Sequence, residues 1–104
     1  MLVITGTIKL KSIEEFERVK TLLAGRTEKS RVDVGNIDYV FSQSIEDPTE
    51  IRLIEKWESE DALNAHLQIP DDEFSAVIGS AKLQSAAVVS YEVTSERTLL
   101  ERYT

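Results

Sequence analysis

The strongest constraint on this chain is a change of period near its start. Residues 2–10, LVITGTIKL, alternate and are rich in β-branched side chains, which predicts a strand. Leu2, Ile4, Ile8 and Leu10 share one face, and Gly6 interrupts it, marking a bulge or a close backbone approach. At Ser12-Ile13-Glu14-Glu15 the period becomes helical. This is a capping box: the serine oxygen is placed to accept the Glu15 amide while the Glu15 carboxylate reaches back. Ile13, Phe16, Val19, Leu22 and Leu23 follow at helical spacing and predict a helix over about 13–31, weakened at Gly25.

The alternation then returns. Asp33-Val34-Gly35-Asn36 is a turn, with Gly35 and Asn36 both suited to positive φ. Ile37, Tyr39 and Phe41 alternate with Asp38, Val40 and Ser42 as a strand. Asp47-Pro48-Thr49-Glu50 closes a hairpin, and Ile51 to Trp57 is the next strand. Ser59 caps a helix that opens on Glu60 and Asp61 and presents Ala62, Leu63, His66 and Leu67 on one face. Pro70 stops it, Asp71-Asp72-Glu73 opens a second short helix carrying Phe74, Val77 and Ile78, and Ala86 to Val93 is a last strand. Residues 95–104 are a polar tail. With no repeat or linker, residues 1–104 form a single domain with its core over about 2–93.

The order β-α-β-β-α-β predicts a ferredoxin-like α+β fold, a four-stranded sheet with helices on one face. The other face is expected to carry Val3, Thr5, Thr7, Val40, Ile54 and Val88. Such a face is either solvated on a monomer or packed against a second copy, and pattern alone balances the two.

Composition narrows the function. Twelve basic residues against 19 acidic ones give a net charge of −7, so nothing supplies the positive field that nucleic acid or an anionic membrane would require. Without cysteine there is no disulfide, no thiol nucleophile and no thiolate metal site. One histidine leaves no transition-metal ligand cluster, and Asp71-Asp72-Glu73 reads as helix N-terminal charge rather than a calcium loop. There is no phosphate loop and no dinucleotide fingerprint. No apolar run approaches the roughly 20 residues of a membrane span, and the N-terminus lacks the charge order of a signal peptide. The expectation is a small, acidic, soluble, cytoplasmic domain with no cofactor and no metal.

One constellation suggests chemistry. Leu53, Glu55 and Trp57 share a strand face, on which Glu55 is the odd polar member, and His66 lies within the apolar face of the following helix. If the two faces pack together, a carboxylate, an imidazole and an indole converge, with Glu55 as the orienting acid of a His66 base. The plainer readings stand beside this. A lone histidine facing a core more often makes a satisfied internal hydrogen bond, and Trp57, Tyr39, Phe41 and Phe74 are core aromatics by default.

The segments Val34-Gly35-Asn36-Ile37-Asp38-Tyr39, Asp47-Pro48, Glu55-Lys56-Trp57-Glu58-Ser59-Glu60-Asp61-Ala62 and Ala65-His66-Leu67 together resemble the antibiotic biosynthesis monooxygenase domain. The likeness spans about residues 2–93. It implies a homodimeric α/β barrel in which two ferredoxin-like sheets pack face to face. It also implies oxidation of a quinol-like or polycyclic phenolic substrate by O₂ without metal, flavin or haem. By the same resemblance His66 is base or proton shuttle, Glu55 its orienter and Trp57 the aromatic wall together with Tyr39 and Phe74. Asn36, if it faces the pocket, would bind a substrate oxygen. Two departures qualify the match. Asp33-Val34-Gly35 stands where many members have Glu-Pro-Gly, and residues 2–10 hold no counterpart of the asparagine used by haem-degrading relatives, which argues against haem degradation.

Three functions therefore compete: a cofactor-independent monooxygenase acting on a small aromatic substrate, a non-catalytic dimeric module holding a hydrophobic metabolite, and a structural dimer with a filled core. Only the Glu55/Trp57/His66 convergence sets the first two above the third, because a filled core gains nothing from a buried ionisable pair.

Overall fold

A computed structural model describes residues 1–103. Its elements are β1 (Leu2–Leu10), α1 (Ile13–Arg31), β2 (Asn36–Gln43), β3 (Glu50–Trp57), α2 (Glu60–Leu67), α3 (Asp72–Ser80) and β4 (Leu83–Glu92). The four strands form one antiparallel sheet in the order β2-β3-β1-β4, the ferredoxin-like α+β topology that the element order predicts. No helix among the described residues is long and apolar enough to cross a membrane. Residues 93–103 form neither helix nor strand, and Thr104, the last residue of the expected tail, lies outside the described residues.

The core forms two clusters on the helix side of the sheet. Leu2, Ile4, Tyr39, Leu53 and Trp57 pack with Ala62 and Leu63 of α2; Leu10, Val19, Leu23 and Ile51 pack beneath α1 and α3. Gly6 marks a close approach rather than a bulge. It pairs with Leu53 on one side and Val88 on the other, and an added Cβ would lie 3.2 Å from the Leu53 Cβ. The same pairing corrects one expectation. Val88 shares the helix-side face with Gly6, whereas Val89 and Tyr91, opposite Thr5 and Val3, join Val40 and Ile54 on the open face.

Two further local readings change. Ile37 does not alternate into the core with Tyr39 and Phe41, because Asn36 faces Trp57 while Asp38 faces Lys56, leaving Ile37 as the extra residue of a bulge. Ile37 is consequently half exposed. At the start of α1, Ser12 accepts from the Glu15 amide at 3.3 Å as a cap should. The Glu15 carboxylate does not complete the box. It takes both Arg18 Nε and an Arg18 Nη, at 2.9 and 3.0 Å, and the Lys82 amide at 2.9 Å, tying α1 to the entry of β4.

At the turn before β2 only Gly35 adopts positive φ, at 83°. Its amide plane is held by the Glu58 N–H donating to the Gly35 carbonyl at 2.8 Å, and a Cβ there would lie 2.5 Å from Ala62 Cβ. A side chain at this position would thus meet both a strained backbone and the first turn of α2. The turn is what brings Asp33 toward α2.

Candidate functional site

Strand alternation delivers most of the site. Glu55 lies between Ile4 of β1 and Tyr39 of β2 in the sheet register, with Leu53 and Trp57 on the same face. The Ser59 cap, accepting from the Ala62 amide at 3.1 Å, starts α2 in a phase that turns His66 inward. His66 is 3% exposed and lies over the Trp57 indole, ring centroids 4.7 Å apart, with the Tyr39 ring at 5.9 Å. Tyr39, Glu55, His66 and Phe74 all border one cavity of about 360 Å³, otherwise walled by Ile4, Phe41, Leu53 and Leu63. Trp57 is fully buried behind His66 and supports this wall from beneath.

The expected pairing of Glu55 with His66 is not the one the fold makes. Glu55 Oε1 accepts from the Trp57 indole Nε1 at 3.0 Å. His66 Nδ1 instead meets Asp33 Oδ2 at 2.5 Å, and His66 Nε2 meets an Nη of Arg26 at 3.0 Å. A guanidinium only donates, so Nε2 is the accepting nitrogen and Nδ1 carries the proton that it gives to Asp33. The imidazole is therefore held as one neutral tautomer, its basic nitrogen toward Arg26 and its other nitrogen backed by a carboxylate.

Asn36 is the other correction. It is absent from the cavity wall, and its side-chain amide donates to the backbone carbonyls of Asp38 and Lys56, at 3.1 and 3.4 Å. It pins the β2 bulge, since the two carbonyls lie on the chains that the irregular register leaves out of step.

Arg26 and Asp33 were missed from sequence, one with a signal and one without. Arg26 lies three residues beyond Leu23, seven beyond Val19 and four before Ser30, on the stripe that α1 buries, where a cation is out of place. Asp33 gives no such signal, because a turn aspartate is explained by the turn itself. Arg26 also lies over the Phe74 ring, its guanidinium carbon 4.9 Å from the centroid, and reaches Asp71 Oδ2 at 3.4 Å.

Burial sets the electrostatics. It pushes the Glu55 carboxyl above the ordinary range, against the Trp57 hydrogen bond and the Arg26 charge, which pull it down. Burial likewise raises the Tyr39 phenol, helped by the Glu55 charge and opposed by Arg26 and Ser30, so the hydroxyl stays protonated. An apolar cavity with a carboxylate-backed neutral imidazole, a phenol and a guanidinium on its wall is suited to holding an aromatic molecule and taking a proton from it. No group of three or more acidic, histidine or cysteine side chains that could hold a metal ion occurs among the described residues.

Residues 1–76 match the family model described as antibiotic biosynthesis monooxygenase. Among solved structures, a candidate antibiotic biosynthesis monooxygenase of Deinococcus radiodurans superposes with a TM-score of 0.84 at 20% identity, covering 97% of this chain and 100% of that one. A second, from Nitrosomonas europaea, gives 0.81 at 21% identity over 91% and 100%. A Mycobacterium tuberculosis protein gives 0.78 at 20% identity over 94% and 100%. At these identities the likeness is one of fold. No curated protein matches the chain by sequence.

Proposed function

Because the chain belongs to the antibiotic biosynthesis monooxygenase family, we propose that it oxidises a small quinol or polycyclic phenol with O₂, as a cytoplasmic homodimer without a resident cofactor. The observation that carries this reading is His66, backed by Asp33, on the wall of a cavity of about 360 Å³. An electron-rich phenol is a poor reductant until it loses its proton, and the phenolate can then pass electrons to O₂ itself. His66 Nε2 is the base, Asp33 stabilises the imidazolium that forms, and the apolar wall keeps water from competing. For an anthrone the balance is a CH₂ becoming a C=O, with one oxygen atom of O₂ retained and the other leaving as water. Entry of substrate requires its hydroxyl to replace Arg26 at Nε2. Tyr39 and Phe74 contact the aromatic body, while Glu55 and Trp57 hold the floor.

The support for the homodimer is the open sheet face, where Ile54, Val89 and Tyr91 are 41%, 47% and 51% exposed.

The deciding experiment is O₂ uptake with naphthohydroquinones and anthrones, corrected for autoxidation, in native protein, His66→Ala and Trp57→Phe. Saturable uptake that collapses in His66→Ala supports the monooxygenase. Uptake no faster than background from a folded protein overturns it. The non-catalytic binding module would then be preferred, a reading favoured by one observation: Arg26 donates to the basic nitrogen of His66.

A further inference from the structure

The Arg26 side chain is 11% exposed, yet its charge is poorly matched. One Nη meets a neutral imidazole nitrogen, the other reaches the Asp71 carboxylate only at 3.4 Å, and Nε is the one buried side-chain nitrogen or oxygen among the described residues with no hydrogen-bond partner. A buried guanidinium normally has its donors filled and its charge compensated. Arg26 also stands between two spaces. On one side is the apolar cavity of about 360 Å³ bordered by Tyr39, His66 and Phe74; on the other is a cleft of about 450 Å³ between α1 and α3, lined by polar groups that include Arg18, Lys29 and Asp71.

We propose that Arg26 is the specificity-determining residue of the cavity and that the ligand is an aromatic acid. Its ring system lies against Tyr39 and Phe74, and its carboxylate takes the Arg26 Nε–H, which has no partner within the protein. This deepens the proposed function, since it rests on the same cavity being the ligand site. A carboxylate presents two oxygens to the guanidinium fork, which a neutral ligand or a single hydroxyl does not. Asp71 is the internal competitor. Arg26 and Lys29 both point to it, at 3.4 and 3.6 Å, without reaching close contact. Turning Arg26 toward a ligand carboxylate also frees His66 Nε2, so recognition of the acid uncovers the base. Glu55 opposes a second negative charge in the cavity, but its carboxylate is turned onto the Trp57 indole.

The test is calorimetric titration of the intact protein with 2-naphthoate and with 2-naphthamide, which share a ring system and differ in charge. Neither is a phenol, so the outcome does not depend on oxidation. The naphthoate is expected to bind about tenfold tighter or better, the preference to vanish in Arg26→Met, and Asp71→Asn to strengthen naphthoate binding while keeping the cap of α3. Equal or tighter binding of the amide, an undiminished preference in Arg26→Met, or no binding of either probe overturns the proposal. Should Arg26→Met fail to fold, Asp71→Asn decides: no gain in naphthoate affinity overturns it. Binding of naphthoate with no O₂ uptake on any phenol would retain this inference while removing the monooxygenase reading.

Discussion

Asp33 Oδ2 lies 2.5 Å from His66 Nδ1, so the imidazole takes its orientation from the turn that leaves α1 rather than from the strand that carries Glu55. The contact joins residues 33 positions apart and makes that turn part of the site. Asp33→Asn keeps the shape but not the charge that an imidazolium needs. It is expected to lower kcat for phenol oxidation by about 10- to 100-fold with little change in KM, whereas Glu55→Gln, whose hydrogen bond goes to Trp57 and not to His66, changes kcat much less. Steady-state O₂ uptake of the two variants distinguishes them.

The Trp57–Glu55 hydrogen bond gives a stability prediction. Trp57→Phe removes the donor and leaves a buried carboxylate oxygen unpartnered, at a cost of about 1–3 kcal/mol. Glu55→Gln should recover part of that loss in the same chain. By itself Glu55→Gln raises stability at neutral pH, because burial holds the native Glu55 carboxyl above its unfolded value. An acid raised in the folded state loses stability as pH climbs past the unfolded pKa, near 4.3. The gain should therefore be absent at about pH 4 and present at about pH 8, as read from urea unfolding.

Two other carboxylates work in the opposite sense. Hydrogen bonds from Arg18 and from the Lys82 amide hold Glu15 at about 2, and those from Thr49 and Lys9 hold Asp47 at about 2. Their folded values lie below the unfolded ones, so their contribution is complete above about pH 5 and is lost as pH falls toward 2. Glu15→Gln should lower stability at pH 7 and flatten the acid limb. A Tm series from about pH 6 to pH 2 checks it.

At Gly35, φ is 83° and an added Cβ would sit 2.5 Å from Ala62 Cβ. Gly35→Ala is expected to cost about 2 kcal/mol or more, from left-handed backbone strain plus overpacking. Ala62→Gly in the same chain should restore the overpacking part and leave the backbone part. Because the turn also carries Asp33, the single variant should lose oxidation rate along with stability.

The open sheet face predicts its own disruption. Light scattering should give twice the chain mass of 11.7 kDa for the native protein. Val89→Asp with Ile54→Lys, both on that face and so across the sheet from the helix side that carries His66, should shift it to the monomer. A native protein that stays monomeric at micromolar concentration would remove the barrel.

What the sequence determined by itself is everything that depends on near neighbours. The alternation of residues 2–10, 39–43 and 51–57, the run at 86–93, the caps at Ser12 and Ser59 and the stop at Pro70 set seven elements and hence the sheet order, since few topologies accept them. The same two-residue and 3.6-residue periods placed Glu55, Trp57 and His66 about one space, and the family resemblance added Tyr39 and Phe74 to it. Tertiary structure alone decided who bonds to whom. One unpaired residue at Ile37 altered the face of β2 and turned Asn36 into a pin. The approach of the Gly35 turn to Ala62 chose Asp33 over Glu55 as the partner of His66. The length and phase of α1 carried Arg26 to the far nitrogen. Hydrogen bonds between groups 33 and 40 residues apart depend on ångström-scale placement of whole elements, and periodicity fixes only the direction in which a side chain faces.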